Sequence, residues 1–540
     1  MAKIPYKKLK FLVADDFSNF RSTVSGMLMD LGVEDIDMAS NAGEAIDQCS
    51  RSHYDVVLCD YNLGAGRNGQ HVLEELRFKS LLKMRSIFIL VSAESSRNIV
   101  MSAYDSAPDD YLMKPITTKM LQNRLERLLQ LRFVMEPVYL ALERDDKRAA
   151  LDVLIDLSIA ENRYSTYAQK ILGEMFLEEG HYKKAEKLYM NVLEVRELDW
   201  ARLGLAKSKY LQGDHEQAGQ WLDKIVLDNY LYLPAYDVLA DNCLAVGDKH
   251  EAQCVVQKSV DVSPMSILRQ KNLAKLASGN HDLETAVEAM RRVMKLGKLS
   301  CYGEYNDRII FARCVAEAIE KHATMPAAVI NEAMAAVSEQ HEDADMSSPG
   351  AQALYIQSRL CAAQNQTEKA KVILSDAEAS LSVDDSEIDI EIDHIRALVA
   401  LDNKAKVTDL LLHLRELYAH DQSALEKLDE FLDEPASDAN QTMVDEVNRA
   451  GIELYNNGNF DDALAQFDDA AKRFPKHVGL QLNIIQALVG KLRTNPSDEK
   501  TFSHCRVLLE SVKSEITENH SHYRRFTQLN NMARAVTKSA

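Results

Sequence analysis

The first quarter of the chain alternates two apolar patterns. Short runs near 9–14, 34–39, 54–60, 86–91 and 109–113 predict strands. Between them, apolar residues recur every three or four positions near 18–31, 42–51, 69–83, 95–103 and 117–132, the spacing of amphipathic helices. Most of the strand runs are continuously apolar, as in Phe11-Leu12-Val13-Ala14 and Val56-Val57-Leu58-Cys59. A strand that is apolar on both sides belongs to a parallel sheet covered by helices on both faces, so the pattern predicts a doubly wound five-strand α/β sheet. Ser18, either Ser40 or Asn41, and Ser95 with Ser96 are suited to cap the first, second and fourth helices.

The last of these helices is expected to run on. Leu121, Leu125, Leu128, Met135, Tyr139 and Leu142 form one apolar stripe interrupted by Arg132. Pro137 is expected to kink the helix or to begin a new one. From about 137 onward every pattern is helical. Ala185, Ala218, Ala252 and Ala286 are separated by 33, 34 and 34 residues, after Gly180-His181, Gly213-Asp214, Gly247-Asp248 and Gly279-Asn280. Alanine suits a close helix crossing, and glycine suits a left-handed helix end. This period resembles the tetratricopeptide repeat, a pair of antiparallel helices. Gly173, Tyr236 and Pro264 fit its small, aromatic and terminal positions.

The clearest copy covers about 444–477, with Gly451, Gly458, Ala463, Phe467, Ala470 and Pro475. Ala370 and Ala405 suggest two worn copies, and a helix pair near 302–340 carries no repeat signature. Acidic segments near 341–349 and 429–444 are expected breaks. His181, His215 and His250 recur beside the turns and are expected to serve as turn or cap residues. The layout expected is a sheet domain over 1–132, a helical linker over 133–160, repeats over 161–300, degenerate repeats over 301–428 and further repeats over 444–540. Such a solenoid commonly binds an extended peptide or a partner helix.

The candidate chemistry lies where the strands end. Asp15-Asp16, Asp60, Ser92 and Lys114-Pro115 each close an apolar run, and the carboxyl ends of parallel strands share one crevice. Mg2+ takes hard oxygen ligands and keeps several waters, so two or three carboxylates suffice. Lys114 supplies a point charge and Ser92 a hydroxyl donor to phosphoryl oxygens, which leaves Asp60 as the nucleophile of a phosphoryl transfer.

Residues from about 8 to 132 resemble the receiver domain of two-component response regulators, and Phe11 to Phe20 (FLVADDFSNF) resembles its chemotaxis subgroup. The resemblance implies a flavodoxin-like fold with Asp60 as phosphoacceptor. It implies Asp15, Asp16, Asp60 and the Asn62 backbone carbonyl as Mg2+ ligands. Ser92 and Tyr111 become switch residues, Lys114 the phosphate sensor, and Lys114-Pro115 a cis peptide. Gly64 departs from the proline usual in that loop and gives it more freedom; Ser92 lies within the family's range.

Composition then narrows the output. With 63 basic and 83 acidic residues the formal charge is −20, which argues against nucleic acid as a partner. No apolar run reaches membrane-span length. The eight cysteines form no CxxC pair and the fifteen histidines do not cluster at metal spacing, so a reducing cytoplasm is expected. Phosphate-binding glycine loops, HExxH and GxSxG are lacking, and no second catalytic centre is expected, so the protein is read as a phosphoacceptor rather than an enzyme. The leading expectation is a response regulator. A sensor histidine kinase or phosphotransfer protein phosphorylates Asp60, and this gates protein binding by the repeats. The alternatives are a phosphate sink or inhibitor of a sensor kinase or sibling regulator, a constitutive scaffold or homodimer, and an adaptor acting on transcription through protein contacts.

Overall fold

A computed structural model describes residues 4–93, 101, 106–160, 162–338, 349–380, 387–495, 498–518 and 520–538. The chain divides into two units, Met1–Ala336 and Val337–Ala540. The first opens with β1 (Lys10–Ala14), β2 (Asp35–Ala39), β3 (Val56–Asp60), β4 (Ile87–Ser92) and β5 (Asp110–Met113). They form one parallel sheet in the order β2-β1-β3-β4-β5. The helices α1 (Ser18–Asp30), α2 (Ala42–Arg51), α3 (Gly69–Phe78) and α4 (Thr118–Glu143) accompany it. β1, β3 and β4 are apolar runs because both of their faces are covered, whereas the edge strands β2 and β5 stay partly exposed. Phe11 and Val13 pack with Val24, Leu28, Leu121 and Leu125, whereas Leu12 and Ala14 pack with Ala45, Val72 and Leu76 on the other side.

Two predicted helix starts resolve differently. Asn41 caps α2 by accepting from Glu44 N (3.0 Å), and the Glu44 carboxylate accepts in return from Ser40 N (2.7 Å). Ser18 does not cap α1. Phe17 holds that position, and its N–H donates to Asp15 Oδ1 (2.8 Å). No side chain caps the first turn of α1. The helix expected over 95–103, with Ser95 and Ser96, lies outside the described residues apart from helical Met101.

α4 passes through Pro137 without a break and serves two cores. Leu121, Leu125, Leu128 and Leu129 face the sheet, while Met135, Val138, Tyr139 and Ala141 join Ala150, Leu154, Ala168 and Leu172. Arg132 interrupts the stripe where one core gives way to the next. It pairs with Asp109 ahead of β5 and donates to Tyr139 Oη (2.7 Å).

The helix pairs that follow share one turn. Asp145, Gly180, Gly213, Gly247 and His281 have left-handed φ of 58°, 74°, 82°, 87° and 60°. Five residues after each stands a fully buried alanine: Ala150, Ala185, Ala218, Ala252 and Ala286. The repeat geometry therefore reaches back to α4 and the helix Lys147–Ile159, within the segment expected to be a linker. In the fourth expected repeat, Gly279 ends a helix and His281 takes the left-handed position. His181 takes the N-cap position of the helix Tyr182–Val195, as expected of a turn or cap residue, but its imidazole makes no cap bond. Asp146, Asp214, Asp248 and Asp282 accept from the N–H three residues on, and His215 Nδ1 instead meets Asn242 Oδ1 (3.0 Å). A short carboxylate reaches its own helix N–H groups where an imidazole does not.

In Val337–Ala540, Asn365 and Ala370, and Gly458 and Ala463, repeat the same turn. The copy between them uses Asp402 and half-buried Val407; Ala405 is exposed and is not the crossing residue. The expected break over 429–444 is a packed corner. Buried Asp429 accepts from Ala436 N, from Ser437 N and Oγ, and from Asn440 Nδ2. Residues 341–348 of the other expected break lie outside the described residues.

The same unit encloses a fully buried ion pair, Arg359 Nη1 to Asp393 Oδ1 at 3.1 Å, with Gln352 Nε2 donating to Asp393 Oδ2 (3.0 Å). Removing one partner strands a charge without water. Asp393→Ala is expected to cost about 3–5 kcal/mol, read by urea unfolding followed by far-ultraviolet circular dichroism. A loss below about 1 kcal/mol would show that the pair is hydrated.

Candidate functional site

The sheet gathers the polar strand ends by register. Ala14 lies opposite Cys59, and Asp60 opposite Val91, which places Asp15, Asp60 and Ser92 on adjacent strands. Ser92 in turn lies opposite Met113, and Lys114 N donates to Ser92 O (2.8 Å). Lys114 Nζ reaches back across the edge to Asp15 Oδ2 (2.8 Å) and Asp60 Oδ2 (2.9 Å), residues 99 and 54 positions away. Lys114-Pro115 is cis, in line with the expectation. The Phe20 ring lies 4.0 Å from Lys114 Nζ and closes one side of the ammonium.

The three acids lie with one oxygen of each within 4.8 Å of the others. Asp15 is fully buried and Asp60 is 5% exposed. Burial raises the Asp60 carboxyl from its ordinary value to about 6; the Lys114 ammonium opposes this, and the Asp15 and Asp16 charges add to it. Burial alone would lower the Lys114 ammonium, but its bonds to Asp15 and Asp60 raise it, so it stays charged. Asp16 Oδ1 is buried and has no hydrogen-bond partner. A buried carboxylate oxygen without a donor carries a desolvation penalty that a cation relieves.

Tyr111 lies on β5 opposite Leu90, half-buried against the α2–α3 side of the core. Asn62 sits in the turn after β3, where its side-chain Oδ1 accepts from Gly64 N (3.2 Å). Gly64 has φ +85° and lies beside Asp16 Oδ2, so the expected departure from proline falls at a left-handed position.

Four supporting residues were not singled out as site residues by sequence reasoning. Phe20 is one, and Arg21, which donates from Nη1 to Asp15 O (2.5 Å), is another. The others are Asn68 and Gly69. Asn68 caps α3, with His71 returning the bond. A Cβ on Gly69 would stand 2.2 Å from Asp60 O, while Gly69 N donates to Tyr61 O (2.8 Å). Asn-Gly is a turn signal visible in the chain. That the turn presses on the backbone of Asp60 is a matter of the fold.

The response regulator receiver domain model matches residues 11–126, and a tetratricopeptide repeat model matches 448–491. Chemotaxis protein CheY-3 of Vibrio cholerae is 28% identical over 130 residues, 24% of this chain and 98% of that protein. Chemotaxis protein CheY of Pseudomonas aeruginosa is 27% identical over 122 residues, 23% and 97% respectively. A solved structure of Vibrio cholerae CheY4 has 25% identity over 22% of this chain and 98% of its own, with a TM-score of 0.21. Residues 11–126 are a response regulator receiver domain, with the five-strand flavodoxin-like fold expected of one. It is fused to a long helical region that carries a tetratricopeptide repeat. Among the described residues no helix is long and apolar enough to cross a membrane.

Proposed function

We propose that this chain is a two-component response regulator in which phosphorylation of Asp60 gates protein binding by the helical repeats. The observation that carries the reading is the Lys114 ammonium held between Asp15 and Asp60, with Asp16 beside them, at the carboxyl edge of the sheet. A carboxylate oxygen of Asp60 attacks the phosphorus of a phosphohistidine on a sensor kinase or phosphotransfer protein. The O–P bond forms as the P–N bond breaks, and the leaving imidazole nitrogen keeps the electron pair and takes a proton.

Lys114 stays within reach of the transferred oxygens, Ser92 offers a hydroxyl, and Tyr111 reports the rearrangement on β5. Asp15, Asp16 and Asp60, with the Asn62 carbonyl, would hold Mg2+, whose charge offsets the repulsion between carboxylates and phosphoryl oxygens. The orphaned Asp16 oxygen supports that donor set. The reading places the chain in the cytoplasm, with a receiver over 1–132 and repeat helices to 540 that engage a protein partner.

Mg2+ at tenfold its dissociation constant is expected to stabilise the first unit by about 1.4 kcal/mol, and Asp16→Asn to abolish the gain. Thermal unfolding with and without a chelator measures both. Gating is tested by affinity capture from the protein's own cells with the full chain, before and after acyl phosphate formation by a small phosphoryl donor. Identical retention in the two states sinks the gate.

A further inference from the structure

Within residues 1–336 the receiver touches the repeats along a row of inter-repeat turns. Met101, 8% exposed, packs into a socket of Leu233 and Val262 with Leu231 beside it. These residues belong to the turn ahead of the helix Leu233–Ala245 and to the end of the helix Lys249–Val262. A second contact lies at the far end of α3. Phe78 meets Tyr302 edge-on, with centroids 5.7 Å apart at 85°, and Glu74 Oε2 accepts from Ser300 Oγ (3.2 Å). The array fixes its side, since Lys271 Nζ donates to Tyr302 O (2.8 Å) and Tyr302 N donates to Ser300 Oγ (3.2 Å).

Glu74 also ties α3 to the segment ahead of β5. Its other oxygen accepts from Gln70 Nε2 (2.8 Å) and from Ser106 Oγ (3.3 Å). Arg77, three residues on, donates to Ser106 O and to Ala107 O (2.5 Å). One helix thus organises the receiver surface that faces the array. That helix begins against the phosphoacceptor, because Gly69 presses on Asp60 O so closely that no Cβ fits. α3 is a rigid rod with the backbone of Asp60 at one end and Tyr302 at the other.

We propose that the turns at 231–233 and 300–302 are a docking surface for the receiver of the same chain, and that α3 is the lever by which the state of Asp60 opens that docking. The inference rests on Asp60 being the phosphoacceptor. Its physics is that of a weak latch. Among the described residues a buried methionine, a hydrogen bond and an aromatic edge join the surfaces, each a contribution small enough for a local charge event to offset. A phosphoryl group pulls on Asp60 and on the turn that Gly69 abuts, and any tilt of α3 is largest at Glu74 and Phe78. Opening uncovers Met101, Leu231 and Leu233 together, an apolar strip for a partner to cover.

Amide hydrogen exchange on the full chain tests the latch and its trigger separately. Tyr232, Leu233, Tyr302 and Gly303 have hydrogen-bonded amides in the two turns. Met101→Lys without phosphate is expected to speed their exchange by about tenfold, and Glu74→Ala to speed Tyr302 and Gly303. The wild type with a small phosphoryl donor and Mg2+ is expected to show the same increase at all four. The yield of acyl phosphate is scored on each sample, and normal yield in Met101→Lys shows that its receiver is folded. Unchanged exchange in both variants overturns the docking. Acyl phosphate on Asp60 with unchanged exchange overturns the trigger. Absence of any acyl phosphate overturns the phosphoacceptor reading and the trigger with it, while the two variants still decide the docking.

Discussion

Asp60→Asn is expected to reduce acyl phosphate formation to background with either a small phosphoryl donor and Mg2+ or a phosphorylated kinase. A carboxamide oxygen is a poor nucleophile, and Asp15, the other carboxylate on Lys114, is fully buried at the end of the neighbouring strand. The substitution should leave the fold intact. Asparagine has nearly the volume of aspartate, and Lys114 keeps Asp15 as its counter-ion at 2.8 Å. Stability should even hold or rise, because Asp60 is buried beside two further acids that oppose its charge. Intact-protein mass spectrometry with hydroxylamine sensitivity reads the acyl phosphate, and thermal unfolding reads the fold. An unchanged yield on the Asn variant would move the acceptor elsewhere and remove the basis for gating.

Gly204→Ala is expected to destabilise the repeats by about 2 kcal/mol, although alanine is the better helix former by about 1 kcal/mol. The added Cβ would stand 2.2 Å from Cζ of Tyr189, which is 1% exposed. The ring has nowhere to go. On its other side Gly173 leaves so little room that a Cβ there would lie 2.5 Å away. Overpacking of that severity costs about 3 kcal/mol and outweighs the propensity gain. The chain's two tryptophans, Trp200 and Trp221, both lie in this region, and Trp200 meets the Tyr189 ring edge-on at 6.2 Å. Indole fluorescence during urea unfolding is therefore the direct readout. Tyr189→Ala should erase most of the penalty, since the clash has one cause. Gly26→Ala in α1 is the control. Nothing lies within 4 Å of its Cβ, so it should stabilise by about 0.5–1 kcal/mol. A Gly204→Ala variant as stable as the wild type would show that helices 165–178 and 199–211 are not clamped on the ring.

The amino-acid order by itself determined the five-strand sheet, because strands buried on both faces read as continuous apolar runs with a polar residue where each run stops. It also carried the residues at the sheet edge and the thirty-four-residue rhythm of alanine after a turn. Local chemistry dominates at those places. It failed where a neighbour in space outweighed a neighbour in sequence. Ser18 became the first residue of α1 behind Phe17, which holds the N-cap without a side-chain bond. His281 took the left-handed position expected of Gly279-Asn280, at a cost of about 1 kcal/mol that helix packing absorbs, and Asn365 and Asp402 hold the same position in their turns. α4 ran through Pro137 because each of its halves had a core to enter.

Only the tertiary structure decided which groups meet. It brought Lys114 to Asp15 and Asp60, pressed Gly69 on the backbone of Asp60, wedged Tyr189 between two glycines and seated Met101 among Leu231, Leu233 and Val262. The reason is common to all four. Periodicity records which side of an element is apolar, but the distance between two elements is set by the volumes that pack between them, and those come from residues far apart in the chain.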